Sequence, residues 1–255
     1  MYKLFRTFGL ILIVVASFIY TEKLVNVVSE YDELMVQIKE NKDNFKIQKK
    51  EAVIKDDTII PGVSGKKVEI KKSYTKMRQY GKYNEKLYVY KTNSPKERLE
   101  ENKDKYIIKG NKENKVALII DEKYINDVIK YNEKVTFNIT NNWYKNNKQI
   151  VTKLVDKGYI FMINNKYIKT ISNQKNGYCY TEEKNKELLK ECMSNDNYTI
   201  LPNIIIKDNS LIKLEKQIDS GSIISVKSNN YLNIIRYIKN KGYEIVSIEE
   251  LVNDI

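Results

Sequence analysis

From residue 116 onward, short apolar runs alternate with helical stretches, and no other property of the chain constrains its fold as tightly. Strands are expected at Val116–Ile120, Val135–Asn138, Tyr159–Ile163, Tyr178–Thr181, Tyr198–Leu201, Ile223–Val226 and Glu244–Ser247. Helical stretches are expected between them over 124–131, 146–157, 182–193, 210–219 and 229–241. Strands separated by helices argue for βαβ units and a parallel sheet. About seven such units predict an α/β chain with a distorted (β/α) barrel rather than an open sheet. In such a barrel the active groups belong on the loops that follow the strands' C-terminal ends.

The 115 residues before this pattern read differently. Lys3 and Arg6 precede a run without charge, Gly9 to Tyr20, and counted back to Leu4 the stretch approaches the ~17 residues that can just cross a bilayer. Residues 1–20 are therefore a signal peptide or an uncleaved signal anchor. Phe18, Ile19 and Tyr20 after Ala16 and Ser17 are a poor cleavage context, so the expectation is an anchor, a transmembrane helix with its short basic end in the cytoplasm and the bulk of the chain outside. Residues 21–50 read as a juxtamembrane helical stalk, because Leu24, Val27, Val28, Tyr31, Leu34, Met35 and Ile38 recur every three to four residues. Two heptads are too few for a coiled coil, so a weak dimer through residues 24–38 is an expectation of lower rank. Residues 51–115 form an accessory lead-in with a Pro61-Gly62 turn signal. Its short strand candidates are Ala52–Ile54, Val68–Ile70, Tyr88–Tyr90 and Tyr106–Ile108.

The 255 residues contain no histidine. Imidazole is the commonest metal ligand and the one side chain whose unperturbed pKa lies near neutrality. A Ser-His-Asp triad, a Cys-His pair and a histidine-ligated zinc site are thereby excluded within this chain. The net charge is +12, and taking away Lys3 and Arg6 leaves +10 on the remainder. That excess favours an anionic partner, with a merely solvated basic surface as the alternative. Outside the cytoplasm the partner would be acidic lipid or an anionic envelope polymer, and no nucleic acid is expected.

The strand ends carry a resemblance. Val116-Ala117-Leu118-Ile119-Ile120-Asp121-Glu122 is similar to the first motif of the polysaccharide deacetylase (NodB-homology) family, a strand ending in Thr-Phe-Asp-Asp-Gly. Lys134-Val135-Thr136-Phe137-Asn138-Ile139 resembles its second strand, and Lys157-Gly158-Tyr159-Ile160 stands where its Gly-His-Glu-Ile-Gly-Asn-His is expected. Gly221 to Lys227 resembles its Gly-Ser-Ile-Ile-Leu-Leu-His segment, and Lys241 to Leu251 its closing strand and helix. The resemblance runs in order through 116–252, and the lead-in with Pro61-Gly62-Val63-Ser64-Gly65 also looks like that of membrane-anchored, non-standard members from low-GC Gram-positive bacteria.

The family's chemistry, as the resemblance implies it, needs a divalent metal on one Asp and two His, an Asp as general base, and a later His that protonates the leaving amine. Here Asp121 takes the base position and Glu122 replaces the metal-binding Asp. The metal-binding His positions fall on Asn164 and Ile168, the leaving-group His on Lys227, and the motif's Gly on Lys123. Isoleucine cannot ligate a metal, and one carboxylate with one amide falls short of the three protein ligands usual at a catalytic zinc. The positions Asp121, Glu122, Asn164, Ile168 and Lys227 are therefore expected to be vestigial, with no metal and no cofactor. A Glu122–Lys227 ion pair would fill the vacated place with charge; the alternative is that both point into solvent.

Tyr178 to Glu183 occupies the place of the family's arginine-bearing motif, with Thr181 as expected N-cap and Glu182 and Glu183 in the first helical turn. Cys179 and Cys192 are candidates for a disulfide, or else two buried thiols. Trp143 and Tyr144 are candidates for a saccharide platform, or else pack beneath a loop. The function expected is that of a pseudoenzyme: a membrane-anchored, extracytoplasmic, deacetylase-like module that binds an anionic or saccharide envelope polymer or positions a partner. The alternative is a divergent carbohydrate N- or O-deacetylase with Asp121 as base and Lys227 as acid.

Overall fold

The computed structural model describes residues 11–20, 31–164, 171, 174, 176–208 and 211–253. The chain divides into two compact units, 1–48 with 65–93 and 49–64 with 94–255. The strands of the first hundred residues are β1 (Val53–Lys55), β2 (Thr58–Ile60), β3 (Gly65–Val68) and β4 (Tyr90–Asn93). There follow β5 (Tyr106–Ile107), β6 (Lys115–Asp121), β7 (Thr136–Ile139), β8 (Ile160–Asn164) and β9 (Tyr178–Tyr180). The last are β10 (Tyr198–Ile200), β11 (Ile204–Ile206), β12 (Ile223–Val226) and β13 (Glu244–Val246). The helices are α1 (residues 11–20), α2 (Glu33–Asn41), α3 (Ile70–Arg78), α4 (Ile125–Val128), α5 (Asn141–Asn146) and α6 (Lys148–Asp156). They continue as α7 (Lys186–Ser194), α8 (Ile212–Gln217), α9 (Tyr231–Asn240) and α10 (Ile248–Val252).

In the larger unit one curled sheet runs β1-β2-β5-β10-β9-β8-β7-β6-β12-β11, with β13 also on β6. Every pairing in it is parallel except the β1–β2 hairpin. The mixed α/β class and the parallel sheet agree with expectation. The circle stays open because β10 takes β5 as its outer neighbour instead of β11. Thus β1, β2 and β5, all within the expected lead-in, belong to the main sheet, while β3 and β4 do not. Strand β11 was not foreseen: Ile204-Ile205-Ile206 has the right residues but is too short to stand out beside Pro202.

Strand β6 shows how the sequence builds both layers. Val116, Leu118 and Ile120 enter the core beneath the helices, while Ala117 and Ile119 enter the core inside the curl. A strand buried on both faces reads as a continuous apolar run, as this one does. Each buried Val, Leu or Ile side chain contributes on the order of 2 kcal/mol on burial. Helices α6 and α9 end alike, at Lys157-Gly158-Tyr159 and Lys241-Gly242-Tyr243. Gly158 (φ 88) and Gly242 (φ 84) are left-handed, and Tyr159 N–H and Tyr243 N–H return to the Leu154 and Ile238 carbonyls. That is the Schellman closure, which needs a residue without a Cβ penalty.

The smaller unit pairs β3 with β4 in an antiparallel hairpin. Met35, Ile38, Val68, Tyr74, Met77 and Tyr88 form its core. Met35 and Ile38, members of the expected dimer stripe, are buried there, whereas Leu24, Val27 and Val28 lie outside the described residues. Helix α2 ends at Asn41, where the polar segment to Lys50 begins and fraying is expected, and continues as a 3-10 turn over Lys42–Phe45. Among the described residues no helix is long and apolar enough to cross a membrane, and residues 1–10 of the expected anchor lie outside them.

Candidate functional site

The alternation that buries Ala117 and Ile119 inside the curl carries forward to Asp121 at the end of β6. Register then sets its neighbours. Asp121 pairs with Asn138 of β7, Asn164 of β8 with Tyr180 of β9, and Ile120 with Val226, one residue before Lys227. Polar residues therefore gather at the C-terminal ends of these strands.

Lys227 is the hub. Its Nζ donates to Asp121 Oδ1 at 3.0 Å and lies 3.3 Å from Glu182 Oε1. The ammonium also stands 4.8 Å from the centroid of the Tyr180 ring, within cation–π reach. The Tyr180 hydroxyl shares a buried 2.8 Å hydrogen bond with Ser225. Asn138 Nδ2 donates to the same Asp121 oxygen at 3.2 Å, while Asn138 Oδ1 is buried without a partner among the described residues. On its outer side Glu182 pairs with the exposed Lys207 at 2.9 Å. Two carboxylates and two ammonium groups thus form a chain from the interior to the surface.

Electrostatics follow from that chain. Burial alone would depress the Lys227 ammonium, but Tyr180, Asp121 and Glu182 outweigh it and hold the group above its ordinary value. Burial would raise the Glu182 carboxyl, but Lys207 and Lys227 outweigh it and hold the group below the usual carboxylate range. Desolvation pushes the Tyr180 phenol up. At neutral pH both ends of the Lys227–Glu182 contact are charged.

The expected Glu122–Lys227 pair does not form. Glu122 turns to the start of α5 and accepts from Thr140 N–H at 2.5 Å and from the Thr140 hydroxyl. The bare N–H groups and positive end of a helix attract a carboxylate, and Lys227 already has Asp121. The placing of Glu182 in the first turn of a helix is also corrected. Helix α7 begins at Lys186 with Asn185 as N-cap, accepting from Glu187 N–H and Leu188 N–H. Thr181 instead spends its hydroxyl on the Glu183 carbonyl at 2.6 Å. Glu182 is left on the loop after β9, where it reaches Lys227. Only its position after a strand end pointed to it; its own neighbours in sequence suggested a helix cap.

Trp143 and Tyr144 on α5 are partly buried against the core beneath the helices. Cys179 and Cys192 are joined in a disulfide, Cα to Cα 6.4 Å, tying β9 to the last turn of α7. The Asn164 side chain and all of Ile168 lie outside the described residues.

The described residues of the site do not fit a divalent metal. Asp121 Oδ1 already accepts from the Lys227 ammonium, which would repel a divalent cation. Among the described residues no three His, Cys, Asp or Glu side chains converge to hold one.

No protein-family profile matches the chain. Over 109 residues it is 37% identical to YlxY, an uncharacterized protein of Bacillus subtilis strain 168; the match takes 39% of this chain and spans only about a third, 34%, of that protein. Among solved structures, the wild-type CE4 family pseudoenzyme of Bacillus anthracis is similar at a TM-score of 0.62 and 21% identity, covering 88% of this chain and 96% of that one. A mutant of that pseudoenzyme, with restored enzymatic activity, gives the same TM-score of 0.62 over 88% of this chain and 99% of its own. Identity this low carries the likeness of fold alone. Fold, strand-end motifs and these neighbours agree: the chain has the polysaccharide deacetylase (CE4) fold.

Proposed function

We propose that this chain is a non-catalytic deacetylase-like module, membrane-anchored and extracytoplasmic, that holds an anionic or saccharide polymer of the cell envelope. The observation that carries the loss of catalysis is Lys227 seated on Asp121 at 3.0 Å. Asp121 Oδ1 already accepts from Lys227 Nζ and from Asn138 Nδ2, so it is not free to take a proton from an attacking water. An ammonium held above its ordinary value is a poor general acid near neutrality, where a catalytic pKa should lie close to the working pH. The same pair therefore speaks against the reading with Asp121 as base and Lys227 as acid.

Polymer binding is supported by chemistry at the rim. Lys207 is largely exposed beside Glu182, and Lys123 lies over the Tyr124 ring at 4.8 Å with its ammonium 3.4 Å from the Lys227 carbonyl. Trp143 and Tyr144 offer partly exposed rings after β7, on the same end of the sheet. The apolar run Gly9 to Tyr20 supports the anchor.

Two assays test the proposal. The purified chain is expected to release no acetate from acetylated sugar oligomers, with or without added zinc; turnover that a chelator abolishes would overturn the loss of catalysis. Retention on envelope polymer is expected to fall between low and high salt, because charge-driven contact is screened. Salt-independent retention would argue for docking to a protein partner instead.

A further inference from the structure

The cations of this chain are not spread evenly. Residues 65–93 carry nine Lys and Arg against Glu69 and Glu85, a net +7 of the chain's +12. Helix α3 sorts them by face. Ser73, Tyr74 and Met77 are buried in the core of the smaller unit, while Lys71, Lys72, Thr75, Lys76, Arg78 and Gln79 are exposed. At 3.6 residues per turn, Lys71, Lys72, Thr75, Lys76 and Gln79 fall on one side of the helix, opposite the buried stripe. Together they line a shallow depression of about 310 Å³. Glu69 meets Lys72 at 2.7 Å, so the face carries Lys71, Lys72 and Lys76 against one carboxylate, a net +2. Tyr80, just past the helix, is 63% exposed.

We infer that this face of α3 rests on a bilayer of anionic phospholipid. The depression holds no buried polar group to grip a single small anion. Exposed lysines are point charges on flexible stems, suited to a diffuse negative surface. An exposed tyrosine beside them suits the headgroup layer, where aromatic rings with one polar end collect. Chain length fixes the distance. Only twelve residues separate Tyr20, at the end of the apolar run, from α2 of the same unit, a reach of at most about 40 Å. The inference rests on the anchoring reading proposed above, and its test separates the two.

The full chain is partitioned onto neutral phosphatidylcholine vesicles and onto vesicles enriched in phosphatidylglycerol. Binding to neutral vesicles reports the apolar run; the anionic-to-neutral ratio reports α3. The ratio is expected to fall on the order of 100-fold in Lys71→Gln/Lys72→Gln/Lys76→Gln, from the worth of three lysines at an anionic surface. The variant Lys145→Gln/Lys148→Gln/Lys153→Gln loses the same charge from the larger unit and is expected to keep a ratio close to the parent's. These positions are exposed, so both variants should fold, as circular dichroism would verify. An unchanged ratio in the α3 variant, or an equal fall in both, would overturn the inference. So would displacement of the parent from anionic vesicles by soluble teichoic acid at matched phosphate, which would give the face to a polymer.

Discussion

Lys227 is the residue on which the site turns, and its removal is the sharpest single test. It is 18% exposed and Asp121 22%, so their attraction is only partly screened by water. Lys227→Met would leave Asp121 facing Asn138 with its countercharge gone, and Glu182 with Lys207 alone. The expected cost is about 1–3 kcal/mol, read from urea unfolding. Asp121→Asn should cost less, because Lys227 keeps Glu182; a larger loss in Asp121→Asn would show that the pair is not organised around the lysine. The involvement of Lys227 and Asp121 was legible from strand ends and motif order. Their mutual contact was not, since Glu122 stands next to Asp121 in sequence and offers the same charge. Strand alternation decides between them: Asp121 continues the inward positions, and Glu122 is turned away to Thr140.

At the scale of elements, the β9–α7 segment brings Tyr180 and Glu182 to the site, and two features hold it. Asn185 caps α7 through Glu187 N–H and Leu188 N–H, so Asn185→Ala is expected to cost about 1 kcal/mol, measured by chemical denaturation. The disulfide closes a separation of 13 residues. By the chain-entropy account a loop of that size is worth about 3 kcal/mol, so Cys179→Ser/Cys192→Ser should lower stability by that order. Alkylation without reductant should label neither cysteine; two labels would reject the bridge. Most elements were foreseeable because apolar periodicity and the Lys-Gly-Tyr stops are local signals. The start of α7 differs from expectation because Thr181 and Asn185 are both credible cap residues within five positions, and only packing selects between them.

For the whole molecule, charge pairs set a pH range. Burial would raise the Glu250 carboxyl, but Lys115 at 2.7 Å and Lys134 outweigh it and hold it below its ordinary 4.5, as Lys207 and Lys227 do for Glu182. A depressed carboxylate contributes stability that is present above its unfolded value and is lost as pH falls through the folded one. The ammonium of Lys115 is raised mainly by Glu250, and Lys227 is raised as well, so their contribution holds below 10.5 and fades above it. Melting temperature should therefore be flat through neutrality and drop below pH 4.5, and Glu250→Gln should flatten part of the acid limb. A parent whose melting point does not change below pH 4.5 would contradict this account. By itself the amino-acid sequence determined the βαβ grammar, the apolar strands of the core and the absence of imidazole chemistry, because these depend on residue type and near-neighbour periodicity. Tertiary structure alone decided that the sheet recruits β1, β2 and β5, and that Lys227 sits between Asp121 and Glu182. Those contacts join positions far apart in the chain, and they exist only once strand register and inward-outward alternation have been set.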